Sequence, residues 1–102
     1  MSDYHSKSVE RLYEVILKLE TKEECRAFFD DICTVRELTD MAKRLETAEL
    51  LSEGMNYLNI EKKAGVSTAT ISRVSRCLNY GQGGYTLALK KLKSGEKEND
   101  NQ

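Results

Sequence analysis

Residues 65–74 read GVSTATISRV. Four hydroxyl side chains, Ser67, Thr68, Thr70 and Ser72, stand close together, interleaved with Ala69 and followed by Arg73 and Arg76. A hydroxyl both gives and accepts hydrogen bonds, so such a row suits the polar edges of nucleic-acid bases. Alanine, or a threonine methyl, suits a thymine methyl. Arginines suit phosphates or a guanine. Small side chains at the start of a helix can enter a major groove without clashing. Ser and Thr are also ordinary surface residues, so a plain helical hairpin fits the same letters until their surroundings are read.

Those surroundings fit a helix-turn-helix spanning about residues 57–79. Such a motif needs two short helices crossing over a tight turn, with a residue there that holds a left-handed backbone. Gly65 meets that need. Ile60 and Ala64 precede it, and the small Ala64 permits close helix approach. Val66 fills the turn, and Ile71 and Val74 pin the second helix. Ser67 is placed to accept hydrogen bonds from the free N–H groups at that helix's start. The outward residues are then Thr68, Ala69, Thr70, Ser72, Arg73 and Arg76. Glu61 departs from the pattern: it falls where such motifs favour small residues, on a side that would face phosphate.

Charge points the same way. The net charge is −1, but its distribution is uneven. Residues 1–56 carry 8 Lys and Arg against 13 Asp and Glu, whereas residues 57–93 carry 7 against only Glu61. The last nine residues carry 1 against 3. A basic region of this kind fits a polyanionic partner; on its own it fits a solvated basic face as well.

The elements that must position these residues are all helical. No proline interrupts the chain. Val9, Leu12, Tyr13, Ile16 and Leu17 recur at helical spacing and predict a helix near residues 5–19. Thr21 with Glu24, and Thr34 with Glu37, each read as a capping box. The first starts a helix carrying Cys25, Phe28, Phe29 and Ile32. The second starts a longer one through Leu38, Met41, Leu45, Ala48 and Leu51, which Gly54 would end. Shorter helices follow over 57–64, with Leu58, Ile60 and Ala64 inside, then over 68–79 and 85–93. The class is all-α, with one domain over residues 1–93. The polar tail, residues 94–102, reads as disordered.

Other chemistry is poorly supplied. The only histidine, His5, lies near the N-terminus, and no Ser/His/Asp, Cys/His or metal-ligand grouping is available. Asp30 and Asp31 read as a solvated pair. NYGQGGY lacks the spacing of a phosphate loop and reads as a helix-to-helix connection, with Tyr80 and Tyr85 packing on either side. The chain therefore reads as no enzyme and as metal-free. Cys25, Cys33 and Cys77 are an odd number at wide spacing, which fits buried thiols in a reducing cytoplasm. No signal peptide and no membrane span are apparent.

RLETAELLSEG followed by IEKKAGVSTATISRVSRCLNYGQGGY resembles the Trp repressor superfamily, closest to its YerC/YecD branch, over roughly residues 20–92. The resemblance implies six helices per chain, the first ones interleaved between two subunits, and two reading helices that meet a palindromic operator on double-stranded DNA. It implies that Thr68, Ala69, Thr70 and Ser72 face bases. The family's best-known member also binds tryptophan as a corepressor, held between two arginines and by a threonine. The matching positions are Arg44, Arg73 and Thr34. Two positions depart: Val74 replaces a glycine beside the indole and Cys77 replaces a serine that holds the amino group. Val adds bulk and Cys bonds weakly, so Arg44 and Arg73 either hold a molecule other than tryptophan or are purely structural and phosphate-facing.

The expectation is thus a cytoplasmic, homodimeric, DNA-binding repressor. The apolar stripe of the first helix independently favours a dimer, because one short chain gives it little to cover. An RNA-binding regulator and a protein-docking module are the two rivals that use the same face.

Overall fold

The computed structural model describes residues 6–100, with side chains described to residue 95. His5 lies outside the described residues. Six helices follow one another: α1 Lys7–Lys18, α2 Lys22–Ile32, α3 Val35–Ser52, α4 Tyr57–Ala64, α5 Thr68–Tyr80 and α6 Gly84–Asp100. Among the described residues there is no strand. The chain divides into two compact units, Met1–Leu38 and Thr39–Gln102, with α3 running through the boundary.

In the first unit, local capping is complete. Ser6 Oγ accepts the Val9 N–H at 3.4 Å and starts α1. Thr21 Oγ1 accepts the Glu24 N–H at 3.0 Å, while the Glu24 carboxylate accepts the Glu20 N–H at 2.9 Å. At the head of α3, Thr34 and Glu37 close a reciprocal box: Glu37 N–H to Thr34 Oγ1 at 3.1 Å and Thr34 N–H to Glu37 Oε1 at 2.8 Å. Burial is another matter. No residue of α1 or α2 is buried, and Leu17 is 82% exposed.

The second unit holds the core. Leu50, Ile60, Ala64 and Ile71 form one buried cluster, backed by Met55 and Val66. Ala48, Val74 and Leu89 form another, backed by Leu78 and Tyr85, and Leu51 touches both. α5 packs on α4 and on α6. The one buried hydroxyl among the described residues, Thr47, donates to the Lys43 carbonyl at 2.7 Å and so leaves no polar atom stranded. α3 ends in a Schellman arrangement: Gly54 N–H meets the Leu51 carbonyl at 3.0 Å and Met55 N–H the Leu50 carbonyl at 3.1 Å.

Several expectations need correction. α6 runs from Gly84 to Asp100, longer than the expected helix over 85–93. Residues 96–98 are Glu, Lys and Glu, good helix formers, and no proline stops the last turns. The cysteines are not core residues: Cys25 and Cys33 are half-buried and Cys77 is exposed. Leu58 is exposed, since α4 has room for only Ile60 and Ala64 against its neighbours. Tyr85 packs on the second cluster as expected, but Tyr80 stands 86% exposed.

Candidate nucleic-acid interface

The turn of the helix-turn-helix is built on one backbone conformation. Gly65 caps α4 with φ 67° and ψ 41°, its N–H bonded to the Glu61 carbonyl at 3.0 Å. That left-handed geometry is disfavoured for any residue with a Cβ, even though a Cβ here would meet open space. Two residues later Ser67 caps α5: its backbone is extended and its Oγ accepts the Thr70 N–H at 3.2 Å. Ile60 and Ile71 are fully buried and Val74 nearly so, which fixes how α5 lies against the rest of its unit. The far end of α5 is set by Gly81, where a Cβ would come within 2.4 Å of the Cys77 carbonyl oxygen.

With those anchors inward, Thr68, Ala69, Ser72, Arg73 and Arg76 are exposed. Thr70 is not fully among them. It is half-buried, its Oγ1 receives the Ser67 hydroxyl at 3.2 Å, and it turns toward α3. Glu61 is tied to the reading helix, because its carboxylate accepts a hydrogen bond from the Thr68 hydroxyl. Sequence reasoning noticed Glu61 but not this partnership, which joins residues across the turn.

A cleft of about 290 Å³ opens in the second unit between α3 and the turn. Asp40, Lys43 and Arg44 line it from α3; Gly65, Val66, Ser67, Thr70, Arg73 and Val74 line it from the motif. Asp40, Lys43 and Arg44 stand at i, i+3 and i+4, so one helix face carries all three, a spacing that could have drawn attention to them. Lys43 reaches across, its Nζ 3.5 Å from the Gly65 carbonyl oxygen. Three cations against one carboxylate make the cleft attractive to an anion, and it contains no aromatic side chain. Of the five corepressor candidates, Arg44, Arg73 and Val74 line this cleft, with Val74 buried. Cys77 lies outside the lining and is exposed to solvent. Thr34 belongs to the first unit, where it caps α3.

In the first unit, the Thr34 N–H and then the Thr34 side chain hold the Glu37 carboxyl below the usual glutamate range. Among the described residues no group of three or more His, Cys, Asp or Glu could hold a metal ion, and no helix is long and apolar enough to cross a membrane.

Comparison with known proteins bears directly on this arrangement. The family model of the Trp repressor protein matches residues 7–93. The uncharacterised protein YerC of Bacillus subtilis (strain 168) is 51% identical over 92 residues, covering 90% of this chain and 88% of YerC. A Trp repressor candidate from Staphylococcus aureus has a solved structure that superposes with a TM-score of 0.83 at 42% identity, covering 90% of this chain and 96% of that one. The structure of a TrpR-like protein from Eubacterium eligens ATCC 27750 gives 0.84 at 44% identity, covering 86% and 91%. Members of this family are regulators that bind DNA, not enzymes. The six helices, the capped turn at Gly65 and these matches lead to one conclusion: the chain belongs to the Trp repressor family, in the YerC branch.

Proposed function

We propose that this chain is a cytoplasmic transcriptional repressor that binds a palindromic operator as a homodimer, reading bases with α5. The observation that carries the reading is the division of α5 into two faces. Ile71 and Val74 are buried on one, while Thr68, Ala69, Ser72, Arg73 and Arg76 are exposed on the other, within a stretch whose 7 Lys and Arg face a single acidic residue. Ser67 serves by capping the helix, and Thr70 by ordering its first turn, so their part in binding is to present backbone and neighbours to the groove. Arg76 and Arg73 grip phosphates.

The dimer would rest on α1 and α2, where no residue is buried, Val9, Leu12, Ile16, Phe28 and Phe29 are only half-buried and Leu17 is exposed. Two reading helices related by a two-fold axis would then meet half-sites about 34–36 Å apart. A corepressor, where one acts, is a small anion held in the cleft by Lys43, Arg44 and Arg73. Buried Val74 occupies space that an indole would need, which speaks against tryptophan.

Selection of bound duplexes from a random pool, repeated with and without a panel of amino acids, tests the reading. A palindromic motif is expected. Arg76→Ala should weaken binding to all duplexes alike and lower the salt slope by about 0.9 for the lost phosphate contact. Unaltered binding by this variant would show that the exposed face of α5 does not meet DNA. Preferential competition by structured RNA would favour the RNA-binding alternative instead.

A further inference from the structure

The hydroxyls of α5 differ in what they have left to offer. Ser67 is committed within the cap: its Oγ accepts the Thr70 N–H and donates to Thr70 Oγ1, each at 3.2 Å. Ser72 is exposed and has no hydrogen-bond partner among the described residues, so it can give or accept a hydrogen bond as its surroundings require. Thr68 is different from both. Its hydroxyl donates to the Glu61 carboxylate across the turn. A carboxylate has no proton to give, so the direction of this bond is forced and the single hydroxyl proton of Thr68 is used. Only lone pairs remain to face outward.

Glu61 is also the sole acidic residue of the basic stretch 57–93. A negative charge on a surface that approaches phosphate opposes binding to every duplex. Its value must therefore lie in what it holds, and what it holds is an exposed side chain at the start of the reading helix.

We propose that Glu61 is a positioning residue for specificity: by fixing Thr68 Oγ1 as an acceptor, it makes α5 select adenine or cytosine at one position of the contacted strand. The inference rests on α5 being the DNA-reading helix. In the major groove adenine offers the N6 amino group and cytosine the N4 amino group, both donors. Guanine offers O6 and N7, and thymine offers O4, all acceptors, which the lone pairs of Thr68 repel. Ser72, with both roles open, tolerates either kind of base at its own position.

Duplex selection from a random pool with four proteins tests this: the natural chain, Glu61→Ala, Thr68→Val and the double variant. The natural chain should show a position restricted to adenine or cytosine. Glu61→Ala and Thr68→Val should each lose that restriction at the same position, by roughly five- to tenfold, the lower part of the range for one base contact. The double variant should lose no more than either single one, because both remove one interaction. Glu61→Gln should lose part of it, since an amide can either accept from Thr68 or donate to it. Persistence of the rest of the motif shows that each variant is folded. The proposal is overturned if Glu61→Ala keeps the restriction, if the two single variants act at different positions, or if the position prefers guanine or thymine. Failure of the natural chain to enrich any duplex would instead remove the DNA-reading role itself, and this inference with it.

Discussion

The two units of the chain solve the same problem in opposite ways. In Thr39–Gln102, Ile60, Ile71 and Val74 are sealed from water by α3, α4, α5 and α6. In Met1–Leu38 the helices are well capped and strongly two-faced, yet nothing on α1 or α2 is buried. Capping settles where a helix starts and stops, at about 1 kcal/mol for each cap. It supplies no tertiary energy, and short helices are marginal in water without a packed face. The second unit buries its apolar anchors; the first leaves its apolar residues half-buried or exposed. A unit with its own core can hold the geometry of α5; the dimer proposed above would take its contacts from the other unit.

The largest expected loss of stability lies in the second unit. Ile71 is fully buried and touches both the turn and α4, so Ile71→Ala should cost about 2–5 kcal/mol in denaturant unfolding, as other large-to-small core changes do. That loss should be the same at every protein concentration if it belongs to the second unit alone. Leu17→Asp is the counterpart. On an isolated chain a change at so exposed a residue would move stability by less than about 0.5 kcal/mol. In a dimer that covers Leu17 it should cost about 1.5–3 kcal/mol per subunit, the value of one buried leucine. Sedimentation should then shift from dimer to monomer, and the melting temperature should lose its dependence on concentration. A variant that remains dimeric would place the partner's cover elsewhere on the first unit.

What could be read from the letters follows the range of each interaction. Thr21, Thr34 and Ser67 act on residues three positions away, so their caps are visible as spacing and stand where expected. Gly65 is equally local, because the turn demands a left-handed backbone at that position. Legibility ends where a contact crosses between elements. The bond from Thr68 to Glu61 joins residues seven apart on different helices, and the approach of Lys43 to Gly65 joins residues 22 apart. Periodicity also overstates the core: Leu58 falls on an apolar rhythm but stays exposed, because only packing decides which of several apolar residues goes inside. Thr70 is the converse. It reads as outward by type, yet it sits near the seam with α3 and its Oγ1 accepts the hydrogen bond of the Ser67 hydroxyl. The extension of α6 was hidden for another reason, since a polar composition marks disorder and a solvated helix alike.

The smallest effect separates the units by acid. Glu37 accepts the Thr34 N–H at 2.8 Å, and this bond, with the Thr34 side chain, holds its carboxyl below the usual glutamate range. A carboxyl lowered by folding stabilises the folded state above its ordinary pKa, and that contribution disappears as pH falls through the lowered value. The head of α3 should therefore begin to fray only at pH values below the usual glutamate range, seen as faster amide exchange at Glu37 and Leu38 while Ile71 and Val74 stay protected. Thr34→Ala removes the hydroxyl but leaves the N–H donor. It should raise the carboxyl titration midpoint only part of the way, because the backbone bond is the larger cause, and should loosen the first turn by about 1 kcal/mol for the lost cap. Protection lost together at Glu37 and at Val74 would mean that the two units unfold as one. In that case the division between a capped, uncovered half and a self-sufficient head would describe burial alone and not stability.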